Sequence, residues 1–113
     1  MRIKVEADTR SVVFELNDSA ASKSLLLQLP MTIEVKNYSN DEKIFYPEKK
    51  LDTSGTPSAR AKAGTLAYYA PWGDVVMFYD HFGSAPGLYQ LGQAISGVEN
   101  IALLSGQISI AEC

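Results

Sequence analysis

The sequence predicts a mainly β fold, a closed antiparallel barrel or a sandwich, with about eight short strands and two short helices. Apolar and polar residues alternate in short segments along the 113-residue chain, as they do in half-buried strands. Glycine, proline, asparagine and aspartate separate these segments, as turn residues do. Many short strands at such spacing are typical of a barrel or a sandwich. The length fits one domain over residues 1–113.

The N-terminal half is predicted to begin with a hairpin and to add two strands after a helix. Residues 3–7 and 12–16 alternate on either side of the turn-like residues 8–10, which is the pattern of a β-hairpin. Residues 31–35 alternate again, and residues 43–46 form a short strand that is followed by a proline. Proline cannot donate to a sheet, so it favours the end of a strand.

The first helix is predicted directly after Asp18 and Ser19, both of which are good N-cap residues. Serine is a good N-cap because its side chain accepts a hydrogen bond from the first helical turn. Ala21, Leu25 and Leu29 follow four residues apart, which places them on one face of a helix. Pro30 ends the helix because it has no backbone donor.

Residues 48–64 form the least regular part of the sequence. They contain Gly55, Pro57 and Gly64 and few large apolar side chains. Loops of this length are uncommon in compact domains and are often functional. Two interpretations remain open: a functional or mobile loop, or a short strand or extended arm that lies over the barrel.

The C-terminal half is predicted to contain three strands before its helix and last strand. Residues 66–69 and 75–79 are rich in aromatic and β-branched side chains, which favour strands. Residues 70–74 contain proline and glycine and form a tight turn between them. Residues 88–95 are the third strand, after a loop at residues 80–87.

The second helix is predicted over residues 98–104. Ser96 and Glu99 match a capping box, in which each side chain satisfies a backbone donor of the other residue. Gly106 suits the C-terminal cap of this helix. Residues 108–110 alternate again and predict the closing strand.

The distribution of charge argues against a nucleic-acid partner. The net charge is −3, and all ten Lys and Arg residues lie at or before Lys62. From residue 63 onward His81 is the only basic side chain. Nucleic-acid binders neutralise phosphates with clustered Lys and Arg, and about half of this chain has none.

Cysteine content and apolar segments predict a cytoplasmic protein without a cofactor or a metal. Cys113 is the only cysteine, so an internal disulfide and a cysteine zinc cluster are excluded. The first residues alternate like a strand instead of forming the apolar core of a signal peptide. No apolar run approaches the ~20 residues of a transmembrane helix, so we expect no membrane association.

Several segments together resemble a known fold family. Residues 14–25, 91–101 and 108–113 are similar to the first helix region, the approach to the second helix and the closing strand of cyclophilins, the barrel-shaped peptidyl-prolyl isomerases. A bacterial family of small cyclophilin-like proteins is more similar still. The segments that resemble it include Leu29-Pro-Met-Thr-Ile-Glu-Val35, Pro47-Glu-Lys-Lys-Leu-Asp-Thr-Ser-Gly55 and Gly64-Thr-Leu-Ala-Tyr-Tyr-Ala-Pro-Trp-Gly-Asp74. The resemblance implies a closed, eight-stranded, cyclophilin-like antiparallel β-barrel capped by two short helices.

The resemblance does not extend to the catalytic residues of cyclophilins. Cyclophilins polarise the prolyl peptide bond with an arginine after a Phe-x step, and electrostatic help of this kind is central to such catalysis. The similar residues here, Ile44-Phe45-Tyr46-Pro47, contain no arginine. Alignment with the pocket strand of cyclophilins puts Val75 at the position of a glutamine and Met77 at that of a phenylalanine. Residues 84–88 lack the pocket tryptophan and histidine, so the resemblance implies a groove with weak or absent isomerase activity.

The candidate binding residues come from the aromatic second half of the chain. Strand alternation puts Val75, Met77 and Tyr79 on one face and Val76 and Phe78 on the other, without showing which face is outward. Methionine and aromatic side chains make adaptable contacts in grooves, although packing under the long loop is an alternative role. The predicted groove residues are Tyr46, Tyr69, Trp72, Met77 and Tyr79, with His81 and Arg60 from neighbouring loops.

Three functions fit these residues. The first is a binding module, not an enzyme or only weakly enzymatic, that holds a short proline-containing peptide or a small apolar ligand in the groove. The second is a peptidyl-prolyl isomerase whose catalytic group has moved, with Arg60 as the candidate. The third is a dimeric adaptor. The sequence identifies neither the ligand nor the oligomeric state.

Overall fold

Eight antiparallel strands close into a barrel in the computed structural model, which describes residues 1–113. The strands are β1 (Arg2–Ala7), β2 (Arg10–Leu16), β3 (Met31–Tyr38), β4 (Glu42–Phe45), β5 (Thr65–Tyr69), β6 (Asp74–Phe78), β7 (Leu88–Ser96) and β8 (Gly106–Glu112). Their order around the barrel is β1-β2-β7-β5-β6-β4-β3-β8. An α-helix, α1 (Ala20–Leu26), and a 3₁₀-helix (Val98–Leu103) complete the fold. The predicted mainly β fold is confirmed, and of the two open architectures the barrel is the one observed.

One apolar cluster of 20 residues fills the barrel. Alternate residues of each strand supply it, as Ile3 and Val5 do from β1 and Val12 and Phe14 from β2. A barrel of eight strands is just wide enough for its own side chains to fill the interior. A binding site therefore has to lie on the outer surface.

The α-helix forms as its cap predicts. Ser19 is the N-cap, and its Oγ accepts a hydrogen bond from the Ser22 backbone N–H at 3.2 Å. Ala21 and Leu25 are buried against the barrel. The helix ends at Leu26, before Pro30. Neither this helix nor the 3₁₀-helix is long and apolar enough to cross a membrane.

The predicted capping box is wrong. Ser96 is the last residue of β7, and Gly97 precedes the second helix in the left-handed conformation with φ 78°. No side chain caps this helix, which is a 3₁₀-helix. Because Gly97 redirects the chain between the strand and the helix, the Ser96 hydroxyl is not placed over the first helical turn.

Residues 48–64 contain an extended arm on the outside of the barrel, as one of the two interpretations proposed. The Ala59 backbone N–H donates to the Leu88 carbonyl at 2.9 Å, and Ala61 forms a β-bridge with Gly83. Ala59 and Ala61 are buried in a second apolar cluster between the arm and the sheet. The sheet residues Val76 and Phe78 belong to the same cluster.

The arm leaves β6 buried on both of its faces. Val75 and Met77 pack in the barrel interior, whereas Val76 and Phe78 point outward into the second cluster. All five residues of the strand are buried. The outer face of β6 is thus an apolar floor on which a site can be built.

Gly97 provides a test of the junction between β7 and the 3₁₀-helix. A Cβ on Gly97 would overlap the Ser11 carbonyl oxygen, whereas a Cβ on Gly106, which also has positive φ (+70°), would meet nothing within 4 Å. We expect Gly106→Ala to lower the free energy of unfolding by about 1–2 kcal/mol, the cost of a left-handed alanine. Gly97→Ala should cost roughly 3 kcal/mol or more because backbone must also move.

Urea unfolding of the two variants and the wild type measures both effects. Gly106→Ala is the matched control, since it introduces the same side chain at a similar φ without the overlap. If both variants lost the same free energy of unfolding, β2 would be able to move away from Gly97 at no cost, and the predicted overlap would be wrong.

Candidate functional site

A pocket of about 200 Å³ lies on the outer face of β4, β5 and β6. Val76 and Phe78 of β6 form its floor, and Ala85 and Leu88 lie along one side. These residues belong to the second apolar cluster, so the pocket opens where the arm and the 80–87 loop stop covering the sheet. Outward side chains of a strand repeat every second residue, which is why residues 74, 76 and 78 all face this pocket.

Aromatic rings form the rim of the pocket. Trp72 lies in the turn between β5 and β6, with its ring edge-on to Tyr38 (centroids 5.1 Å apart, planes at 81°) and to Tyr69 (5.4 Å, 77°). On the other side Phe82 packs on Phe78 with centroids 5.1 Å apart. Edge-to-face aromatic pairs stabilise one another beyond the area they bury. The rim is therefore held in place before any ligand arrives.

Local structure explains how these aromatic residues meet. Tyr38 ends β3 and pairs with Glu42 across the β3–β4 hairpin. Trp72 is held in a tight turn in which its own N–H and that of Gly73 both donate to the Tyr69 carbonyl, at 3.2 and 2.9 Å. Gly73 has φ 74°, a conformation that glycine adopts without steric cost. The two turns lie at opposite ends of the β4–β6 pair, and the rings of Tyr38 and Trp72 meet over its outer face.

Two carboxyl groups lie in this aromatic pocket. Glu42 and Asp74 are the first residues of β4 and β6, and both line the pocket. Asp74 is 1% exposed and Glu42 7%. The Asp74 Oδ1 atom is buried and has no hydrogen-bond partner. The four ion pairs of the structure involve Glu6, Glu15 and Asp18, so neither pocket carboxyl group is paired with a cation.

Burial shifts the titration of both acids toward neutral pH. Burial is the largest cause and the nearby charges of Asp41 and Asp74 add to it, and together they raise the pKa of Glu42 to about 7. Burial also raises the pKa of Asp74 to about 6, opposed by a hydrogen bond from its own backbone. Near neutral pH these groups can exchange protons or pair with a cation. Carboxyl groups with such shifts in a cleft are typical of functional sites.

Lysine and arginine side chains are missing from the pocket lining. Lys43 follows Glu42, but alternation places it on the same face as Phe45, which packs in the barrel interior. The Lys43 ammonium donates a hydrogen bond to the Asn37 side chain, and burial lowers the pKa of Lys43. The pocket is thus apolar and aromatic, with acids as its only charged groups.

Two of the predicted groove residues line the pocket, and two lie at the surface outside it. Tyr69 and Trp72 are part of the lining. Tyr46 is exposed but does not line the pocket. His81 is exposed beside Phe82, and its backbone N–H donates to the Asp80 side chain at 2.7 Å. Whether Tyr69 and Trp72 bind a ligand remains a prediction.

The remaining three predicted residues, Met77, Tyr79 and Arg60, do not line this pocket. Met77 is fully buried in the barrel interior, and Tyr79 packs against the same interior cluster. Met77 therefore does not reach the outer face of β6, where alternation places Val76 and Phe78 instead. Arg60 is exposed on the arm between two buried alanines, which alternation points toward the barrel, and it does not line the pocket.

The sequence analysis missed Tyr38, Glu42 and Asp74, and it did not select Phe82. Tyr38 lay between the predicted strands at residues 31–35 and 43–46, and Asp74 fell in the segment interpreted as a turn. A signal for Asp74 was present, because counting back by two from Phe78 and Val76 reaches it on the same face. The missing information was which face of β6 is outward.

The raised pKa of Glu42 predicts a dependence of stability on pH. The folded protein holds the Glu42 proton up to about pH 7, whereas the ordinary value is 4.5, so the folded state binds more protons between these values. The free energy of unfolding therefore falls as pH rises from 5 to 8. Glu42→Gln should reduce this fall by about 1–3 kcal/mol.

Urea unfolding at pH 5 and pH 8 measures the fall in each protein. Glu34→Gln is the control, because Glu34 is an exposed glutamate on the neighbouring strand β3. The control should keep the wild-type pH dependence. If Glu42→Gln keeps it as well, the Glu42 carboxyl group does not titrate as its burial implies.

Comparison with known proteins places this barrel in a family. The model of the cyclophilin-like family matches residues 5–111. The solution structure of the hypothetical protein AF2241 from Archaeoglobus fulgidus is similar, with a TM-score of 0.75 and 14% sequence identity over 100% of this chain and 95% of that one. At this identity the similarity concerns the fold alone. Among curated proteins, none matches the sequence. The family match spans all eight strands of the barrel except the first residues of β1 and the end of β8, and the chain belongs to the cyclophilin-like family.

Proposed function

We propose that this protein is a binding module that holds a short extended peptide by inserting one side chain into the aromatic pocket. The observation that carries this proposal is the rim of Tyr38, Trp72 and Phe82, three large aromatic residues that remain exposed around a buried floor. Exposed apolar surface gathered at one concave place marks interaction sites. Aromatic rings provide contact area with little loss of conformational freedom on binding.

The size of the pocket supports a small occupant. Sites for drug-sized ligands and cofactors usually measure ~300–1,000 Å³, and this pocket has about 200 Å³. That volume fits one side chain or a small apolar ligand. An extended peptide would gain further contacts by lying across the rim, on Tyr38 and Trp72.

Isomerase activity is proposed to be weak or absent. In catalysis of the cyclophilin kind, a cation stabilises the twisted prolyl peptide bond. The charged residues that line the pocket are Glu42 and Asp74, and a carboxylate does not provide this stabilisation. Arg60, the alternative catalytic group, lies on the arm and outside the pocket lining.

Expectations from the sequence about the protein's surroundings remain predictions. These are a cytoplasmic location, a bacterial origin, a single domain over residues 1–113, and a partner that is not nucleic acid. The dimeric adaptor also remains a hypothesis, and light scattering at increasing protein concentration tests it.

Trp72 allows binding at the pocket to be measured directly, since it is the only tryptophan of the chain. We expect at least one blocked peptide of the form Ala-Xaa-Ala, with Xaa an apolar, proline or long-chain residue, to change Trp72 fluorescence in a saturable way. Tyr38→Ala should weaken that binding about fivefold or more, the loss of one aromatic contact of roughly 1 kcal/mol.

Tyr46→Ala is the matched control, because Tyr46 and Tyr38 are both 44% exposed and only Tyr38 lines the pocket. The control should bind like the wild type. NMR chemical-shift changes centred on Phe78 and Phe82 would locate the peptide. The proposal fails if no peptide of the panel perturbs these residues, or if the two variants lose affinity equally.

Exchange NMR on Ala-Pro peptides tests the enzymatic alternative. We expect no acceleration of cis/trans exchange at catalytic concentrations of protein, and no difference between the wild type and Arg60→Ala. Acceleration that disappears in Arg60→Ala would overturn the assignment of a purely binding role.

A further inference from the structure

We propose that the pocket recognises an alkylammonium group, the side chain of a lysine in the bound peptide. The aliphatic stem packs on the aromatic rim, the ammonium group pairs with Asp74, and Glu42 adds a second negative charge to the pocket. This inference rests on the proposed binding function and names the chemistry of its ligand.

Asp74 carries the first part of the argument. Its carboxyl group shares the outward face of β6 with the pocket floor, is 1% exposed, and has a buried Oδ1 without a hydrogen-bond partner. Burial of a carboxylate is unfavourable unless a cation or hydrogen-bond donors compensate its charge. No ion pair of the structure provides that cation. A ligand that brings a positive charge would supply what the site lacks.

Glu42 adds a second negative charge to the same pocket. It is 7% exposed, and the charge of Asp74 acts on it. Because the two negative charges repel each other, a cation in the pocket favours the ionised form of both. An anionic ligand would be repelled by the same pair.

The aromatic rim favours an organic cation over a metal ion. Ammonium groups are attracted to the faces of Trp and Tyr within about 6 Å, and Trp72, Tyr38 and Tyr69 meet at the mouth of the pocket. Calcium prefers six to eight oxygen ligands, whereas the pocket offers two carboxyl groups among apolar side chains. Long amine side chains also pack their methylene stems on apolar surfaces. The floor of Val76 and Phe78 provides such a surface.

The test compares ligands that differ only in charge. The probes are blocked Ala-Lys-Ala, the same peptide with norleucine, and the same peptide with Nε-acetyllysine, all followed by Trp72 fluorescence and NMR. We expect the lysine peptide to bind at least tenfold tighter than either neutral peptide. n-Butylammonium and CaCl₂ are tested alone, to separate a free amine and a metal ion from a lysine side chain.

Variants of the pocket acids provide the second comparison. Asp74→Asn and Glu42→Gln should each weaken the lysine peptide about tenfold and so reduce the preference for lysine over norleucine. Glu34→Gln, an exposed acid outside the pocket, should change neither. Thermal unfolding checks that each variant is folded. If a variant does not fold, the comparison of the ligands on the wild-type protein decides the question.

The outcomes separate this inference from the proposed function. Equal binding of the lysine and norleucine peptides overturns the ammonium assignment and leaves the binding module intact. If no peptide binds, both the ammonium assignment and the proposed binding module are overturned. Butylammonium that binds as tightly as the lysine peptide supports recognition of the ammonium group and overturns the role of the peptide. Calcium that perturbs the pocket at lower concentration than the lysine peptide overturns the organic cation in favour of a metal.

Discussion

Closure of the barrel is the constraint on which the rest of the structure depends. Each of the eight strands pairs with two neighbours, so no strand edge is left open. Because side chains alternate across a strand, closure divides each strand into an inward and an outward set. The inward sets fill the interior with one apolar cluster, to which Phe14 and Met77 belong. A protein whose interior is occupied by its own side chains can bind a ligand only on its outer face.

The outer face becomes a site because it is covered only in part. The arm with Ala59 and Ala61 and the loop before Leu88 lie over β5 and β6 and form the second apolar cluster. Where this cover stops, Val76 and Phe78 remain as the floor of the pocket. The irregular segment at residues 48–64, for which the sequence allowed either a loop or an extended arm, thus sets the position of the pocket. None of its residues lines the pocket. Its role in any function is to define where the sheet is accessible.

Local patterns were sufficient to predict the strands, because alternation and turn residues act within a few positions of the chain. They were not sufficient to assign the two faces of β6. In a strand with one buried face, the apolar residues identify the inward face. In β6 both faces are apolar, because the arm buries the outer face as well. Met77 and Phe78 were therefore equivalent in the sequence, and only the tertiary contact of the arm distinguishes them. The capping box failed for a different reason, because Gly97 adopts a left-handed conformation that a local Ser-x-x-Glu pattern does not encode.

The charges of its carboxyl groups give the pocket a preference for cationic over neutral ligands, which its shape alone would not give. The aromatic rim attracts any apolar group, because burial of such a group is favourable whatever its identity. The carboxyl groups of Glu42 and Asp74 make a neutral occupant less favourable, since it removes water from them and offers no charge in exchange. An ammonium group offers that charge and also interacts with the faces of Trp72 and Tyr69. The same burial that raises the pKa of both acids in the free protein is thus the source of discrimination between ligands, because the ligand that restores their ionised form gains the most from entering.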